Sequence, residues 1–176
     1  MENTTSTWVI DPMHSEVQFK VKHLAISTIA GTFKIFNGEV ISPGEDFDNA
    51  EISLVIDANS IYTNQEIRDE HLKGAEFFDT AQFPQISFNG LLQKKADDYE
   101  LTGDLTIRQT TRHVVLQTSF TGTGKGRNGD TRAGFEVNGK INRKDYGLTW
   151  TMLTETGGLM IGEDIKLHFD IQLVKQ

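Results

Sequence analysis

The sequence predicts an all-β chain of about eight antiparallel strands with one short surface helix. Three observations predict it. Polar and apolar residues alternate strictly in run after run, the signature of half-buried strands. The stretches between those runs are rich in Gly, Asn and Asp, as tight antiparallel connections require. No helical crossover of the length that parallel strands need lies between them. Such a set closes into a barrel or packs as a sandwich. Closure would remove the edges that invite aggregation. An eight-stranded barrel has an interior just wide enough for packed side chains or for one small ligand. Whether it is filled or hollow is the functional question.

Residues 8–24, WVIDPMHSEVQFKVKHL, hold the first long strand. Val17, Phe19 and Val21 fall on one face, and Glu16, Gln18, Lys20 and Lys22 on the other. Asp11, Pro12, His14 and Ser15 do not serve that alternation. Asp before Pro starts turns, so these residues read as a corner, with His14 bonding the backbone near the turn. Residues 29–36, IAGTFKIF, place Phe33 and Ile35 together and Phe36 opposite. Asn37-Gly38 is a strong hairpin signal, with residues 38–42 as the returning strand.

Residues 50–57 alternate through Ile52, Leu54 and Ile56. The pattern resumes at Ile86 and Phe88. It continues in Tyr99, Leu101, Leu105 and Ile107, and in Val114 and Leu116 with Phe120. Phe135, Val137 and Ile141 follow, then Ile165 to Leu173. One segment breaks the period. Thr63-Asn64-Gln65-Glu66 fits a capping box with Thr63 as N-cap, and Gly74 fits a left-handed stop. A helix is expected over 64–73, with Asp69 and Lys73 paired at i,i+4. Its only strong apolar residues are Ile67 and Leu72, which suit a surface element lying on the sheet. A second helical turn is expected over 151–155.

At 176 residues the chain reads as one domain, with residues 1–7 as a polar tail and 8–176 as the folded unit. There is no cysteine, which removes disulfides, thiol catalysis and Cys-rich metal sites. The net charge is −8, from 17 basic and 25 acidic residues. No basic cluster longer than Lys94-Lys95 stands out, so neither nucleic acid nor an anionic membrane surface is an expected partner. MENTTSTW lacks the basic and apolar regions of a signal peptide. The expected location is cytoplasmic, or periplasmic if the chain is a processed mature form. No run is long enough for a membrane-spanning helix, so no stable membrane insertion is expected. A homodimer is compatible with the sequence.

Several motifs carry little. Gly124 to Gly129 spells G-x-G-x-x-G, but alternation over Thr131–Ile141 puts a strand where the dinucleotide motif needs a helix. The stretch reads as a hairpin loop. The five histidines show no metal-ligand spacing, so no metal site is expected. No G-x-S-x-G elbow occurs. Eleven phenylalanines are many for this length. Phe77, Phe78, Phe83 and Phe88 cluster just after the expected helix, as a plug for one barrel end or as the lining of a tunnel mouth. Arg68 and His71 share one helix face, either solvated or forming a polar site at that mouth. There Arg68 would offer a fork to a phosphate or carbonyl.

DPMHSEVQFKVKHL resembles the opening signature of the YceI-like family. Residues 67–88, IRDEHLKGAEFFDTAQFPQISF, resemble that family's R-x-x-H-L…F-F-D…F-P-x-I-x-F block. GDLTIRQTTRHVVL and GFEVNGKINRKDYGL resemble two further blocks, in order. Gln109 and His113 depart from the pattern, at a hairpin. The resemblance implies a lipocalin-like eight-stranded β-barrel that holds a polyisoprenoid or similar amphiphile, a quinone or prenyl phosphate among them. It implies binding or transport without catalysis and without a cofactor. Phe19, Val21, His23, Phe33, Leu54, Arg68, His71, Phe77, Phe78 and Phe88 are then the expected ligand-binding residues. Two alternatives remain at this level. One is an isomerase or hydrolase using the same cavity, with His23 as its titratable group. The other is a solid barrel serving as an interaction module.

Overall fold

The computed structural model describes residues 4–44, 46–151 and 160–176. Eleven strands follow the alternating runs: β1 (Ser6–Ile10), β2 (Glu16–His23), β3 (Ser27–Phe33), β4 (Phe36–Ser42), β5 (Ala50–Asp57), β6 (Ile61–Tyr62), β7 (Gln85–Lys95), β8 (Asp98–Ile107), β9 (Thr110–Lys125), β10 (Thr131–Asn142) and β11 (Ile161–Lys175). Among the described residues a single α-helix, α1 (Glu66–Lys73), lies between β6 and β7. All pairings are antiparallel. The order β1-β4-β5-β7-β8-β9-β10-β11 closes on itself because β11 also pairs β1, which makes an eight-stranded barrel. β2, β3 and β6 extend the wall on the far side of β11. Strand pairing starts at Ser6, opposite Ser42, two residues before the expected domain boundary.

β1 and β2 are one long strand broken at a corner. β11 runs past both, with Ile10 opposite Leu173 and Val17 opposite Phe169. Residues Pro12–His14 form a short 3-10 turn whose N-cap is Asp11, its carboxylate accepting from the Met13 N–H at 3.0 Å. That carboxylate also takes His14 Nδ1 at 2.7 Å and Arg132 Nη1 at 2.6 Å. His14 therefore bonds a side chain, not the backbone expected from sequence. Arg132 adds Asp130 and Gln172, and the Gln172 N–H donates to Ser15 Oγ at 2.9 Å. The corner residues thus stitch β1 and β2 to β10 and β11.

A second break changes the reading of residues 29–42. β3 and β4 do not pair with each other, so Asn37-Gly38 is not a hairpin; it lies inside β4. The chain jogs at Lys34-Ile35 instead. Ser60 holds the jog, its carbonyl accepting from the Lys34 N–H at 3.2 Å and its Oγ from the Ile35 N–H at 3.0 Å. The jog resets the period. Phe33 and Phe36 both point inward and are buried, while Ile35 is exposed. Gly38 has a packing reason: a Cβ there would come within 2.6 Å of Ile10 Cδ1.

α1 also differs from expectation. Its N-cap is Gln65, with no side-chain cap bond, and Gly74 is extended, not left-handed. Thr63 is buried and its hydroxyl goes to Asp69, not to the helix N–H groups. Lys73 pairs with Glu70 at 3.2 Å in place of Asp69. Ile67 points to solvent; only Leu72 packs on the core. The expected helical turn at 151–155 lies outside the described residues from 152 on. Gly126–Asp130 is the expected hairpin loop, with the Gly126 N–H donating to the Asp130 carbonyl at 2.8 Å.

The corner predicts an acid response. Hydrogen bonds from His14 and then Arg132 hold the Asp11 carboxyl at about 2, below its ordinary 3.8. The folded-state value is the lower one, so the stabilisation is full above the ordinary value and lost as pH falls through the folded one. Unfolding by urea should show on the order of 2 kcal/mol of stability lost between about pH 5 and pH 1. Asp11→Asn should be less stable than the wild type at neutral pH and lack that part of the acid slope. An unchanged slope would show that the corner does not clamp the ring.

Candidate functional site: an apolar tunnel

Inward residues of the strands enclose a cavity of about 220 Å³. Its walls are almost entirely hydrocarbon. The polar residues on its lining are Gln18, Thr63, Arg68, His71, Thr118 and Arg143. Register sorts the lining along the barrel axis. Leu92, Leu101, Phe135 and Leu173 gather toward one end; Val21, Ile29, Ile161 and Ile165 gather toward the other, where α1 lies.

The first end is filled with rings. Phe47 lies 5.0 Å from Trp8 and 4.9 Å from Phe135, centroid to centroid, with Phe120 at 6.0 Å. Tyr99 stands 6.1 Å from Phe135. Thr118 lines this end. Its hydroxyl is buried and has no hydrogen-bond partner among the described residues.

The helix end carries the charge. Arg68 Nε donates to Thr63 Oγ1 at 2.7 Å, and Arg68 Nη2 donates to the Thr63 carbonyl. The Thr63 N–H donates to the buried Asp69 carboxylate at 2.9 Å, and its hydroxyl donates there too. Thr63 therefore bridges an acid and a base that make no direct ion pair among the described residues. His71 contacts Glu76 at 2.6 Å and stands edge-on to Phe77 and Trp150, each at 5.0 Å. Its side chain is 43 % exposed, so this rim of the tunnel meets water.

Arg143 is the buried cation of the same end. It begins a short 3-10 turn, Arg143–Tyr146, and is 3 % exposed. Its partners are all backbone carbonyls: Gly162 at 2.9 Å, Leu148 at 2.7 Å, Trp150 at 2.8 Å and Ile161 at 3.3 Å. Burial pulls its pKa down, yet an Arg stays charged in any protein. The fork ties residues 148–150 to the start of β11 and forms part of the wall. Tyr146, the last residue of the same turn, has its hydroxyl pushed up to about 12 by burial.

Two aromatic residues of the wall depend on glycine. Phe19 lies over Gly31, its partner across the β2–β3 ladder; a Cβ on Gly31 would come within 2.3 Å of that ring. Phe88 lies in the same way over the Gly90–Gly103 pair.

Nine of the ten expected ligand-binding residues line this cavity: Phe19, Val21, Phe33, Leu54, Arg68, His71, Phe77, Phe78 and Phe88. His23 does not. The β2–β11 ladder slips between Ile165 opposite Val21 and Ile161 opposite His23, so the regular wall ends before His23. Phe77 and Phe78 both reach the lining because residues 75–78 form a turn. Phe83 instead meets the Arg108 guanidinium, 5.7 Å from its ring centroid. Sequence reasoning missed Phe47, Thr63, Thr118 and Arg143. A lone Phe in the acidic stretch SPGEDFDN was a usable signal for Phe47; Arg143 had only its place in the fourth block.

Residues 8–173 match the YceI-like domain. The chain belongs to the YceI-like family. The UPF0312 protein SERP2314 of Staphylococcus epidermidis is 36% identical over 159 residues, covering 90% of this chain and 91% of its own. The UPF0312 protein SAS2572 of Staphylococcus aureus is 35% identical over 164 residues, covering 93% and 94%. A Campylobacter jejuni YCEI protein superposes with a TM-score of 0.70 at 30% identity, over 89% of this chain and 91% of that one. Burkholderia cenocepacia BcnA gives 0.80 at 19% identity, over 93% and 98%. A polyisoprenoid binding domain from Saccharophagus degradans gives 0.71 at 16%, over 96% and 98%. The last two share the fold. Every residue of the YceI-like tunnel described above falls within the matched span.

The Arg143 fork is open to a direct test. Lys keeps the charge but offers no planar fork. Arg143→Lys leaves buried carbonyls unpaired, at about 1–3 kcal/mol each. Urea unfolding should show a loss of at least about 2 kcal/mol. A variant as stable as the wild type would mean that the fork does not secure this end of the barrel.

Proposed function

We propose that this protein binds and carries a long-chain isoprenoid lipid, with the tail in the tunnel and the head group at the helix end. One observation carries the reading: a cavity of about 220 Å³ whose walls are hydrocarbon and whose cationic residues sit at a single end. An apolar cavity of this character stays dry. Unfilled, it costs about 5 kcal/mol at roughly 24 cal/mol per Å³, as much as the whole stability of many domains. A solid interaction module has no use for such a void. Hydrocarbon in the tunnel offsets the cost, and each buried methylene adds about 0.8 kcal/mol. The likeness to a polyisoprenoid binding domain supports this class of ligand.

Tail burial does not discriminate between lipids of equal length, so selection falls to the mouth. Arg68 uses part of its fork on Thr63 and keeps further N–H donors for a phosphate or a carbonyl. His71 stands beside it.

Native mass spectrometry of freshly purified protein should show an adduct with the mass of a prenyl lipid. A clean ligand-free mass from repeated preparations would contradict carriage. In competition between a prenyl phosphate and the matching prenyl alcohol, Arg68→Ala should lose about tenfold of its preference for the phosphate while still binding both. An unchanged preference would remove Arg68 from the head-group site.

A further inference from the structure

We infer that Phe47 sets the length of tail that the tunnel accepts. The inference rests on the carriage reading above and adds a specificity residue at the end of the tunnel away from the head group.

The walls at that end come from strands: Val40, Leu92, Leu101, Phe135 and Leu173. Phe47 does not. It comes from the β4–β5 connection and is inserted across the barrel axis, 4 % exposed. The layering shows what it does there. Phe47 lines the cavity, whereas Trp8 and Phe120 behind it do not. Trp8 is buried and Phe120 is 40 % exposed, so the order from inside to outside is tunnel, Phe47, Trp8 with Phe120, solvent. A tail growing from the helix end meets the Phe47 ring as its floor.

The floor is held in place. Lys94 Nζ reaches the Asp46 carboxylate at 3.1 Å, and the Lys94 N–H donates to Asp48 Oδ1 at 2.8 Å. Ser42 Oγ donates to the Asp46 carbonyl, and the Ala50 N–H donates to the Phe47 carbonyl at 3.1 Å. The two residues flanking Phe47 are thus pinned to β7. The backbone that carries the ring cannot move away without breaking those bonds, and the ring itself is packed between Trp8 and Phe135. A stop built this way is independent of the ladder. Truncating a strand residue leaves a hole in a wall; truncating Phe47 deepens the tunnel and leaves all eight strands of the ring paired.

The test is binding of the wild type, Phe47→Leu and Phe47→Ala to farnesol, geranylgeraniol and solanesol, by competition under native mass spectrometry. Cooperative urea unfolding is checked for each protein. Phe47→Leu keeps the fold testable if the alanine variant unfolds, because it retains most of the buried volume. The wild type should show a length beyond which affinity drops. Both variants should move that cutoff to longer chains, with a gain of at least tenfold for the first homologue that the wild type rejects. Chains within the wild-type cutoff should gain less than that longer homologue. The same cutoff in folded variants and wild type overturns the inference and leaves carriage standing. Failure of all three proteins to bind any prenyl alcohol overturns the inference and the carriage reading together.

Discussion

Closure of the barrel depends on β11. It is the one strand that pairs with β10, β1 and β2, and it can reach both β1 and β2 only because the chain between them turns at Asp11–Ser15 without leaving the wall. The turn is costly in itself, since it removes ladder hydrogen bonds where the barrel must seal. Asp11 and Arg132 supply replacements across three strands, with Gln172 and Ser15 completing the set. Once β11 is seated on both halves, the period of two does the rest. Every second residue faces inward around a ring of fixed width.

What the ring encloses follows from which side chains fill it. At one end Phe47, Phe135 and their neighbours take up the whole cross-section. Along the middle, Phe19 and Phe88 lie flat over glycines and so leave the axis clear. At the helix end Arg68, His71 and Arg143 bring polar atoms to a lining that is otherwise hydrocarbon. The result is asymmetric: one apolar stopped end, one polar end in contact with water. An amphiphile has the same asymmetry.

Much of this was legible in the sequence, because alternation is a local property and the barrel is built from it. Val17, Phe19 and Val21 read inward and are inward. The errors occur where a distant residue decides. Ser60 lies twenty-five positions from Ile35, yet it holds the jog that turns Phe36 inward and Ile35 out. Asn37-Gly38 has the letters of a turn, but Gly38 is there to admit Ile10. Thr63 and Glu66 have the letters of a capping box, but Asp69 competes for the Thr63 hydroxyl and wins because it is buried and needs donors. The same holds at the site. Tunnel residues on strands and on α1 were readable from period and from the family blocks. His23 falls outside the lining because of a register slip, and Phe47 sits in a loop, where no period marks it and only its acidic surroundings set it apart.

On the proposed function, the barrel is hollow in order to be filled. The most direct measurement is the unfolding temperature of delipidated protein, refolded from denaturant, as solanesyl phosphate is added. A ligand that binds only the folded state raises stability by RT ln(1 + [L]/Kd). Tm should climb steadily with the logarithm of lipid concentration, and a short water-soluble phosphate should produce no such rise. A Tm that does not move with lipid at any concentration would mean that the cavity is a packing defect and not a binding site.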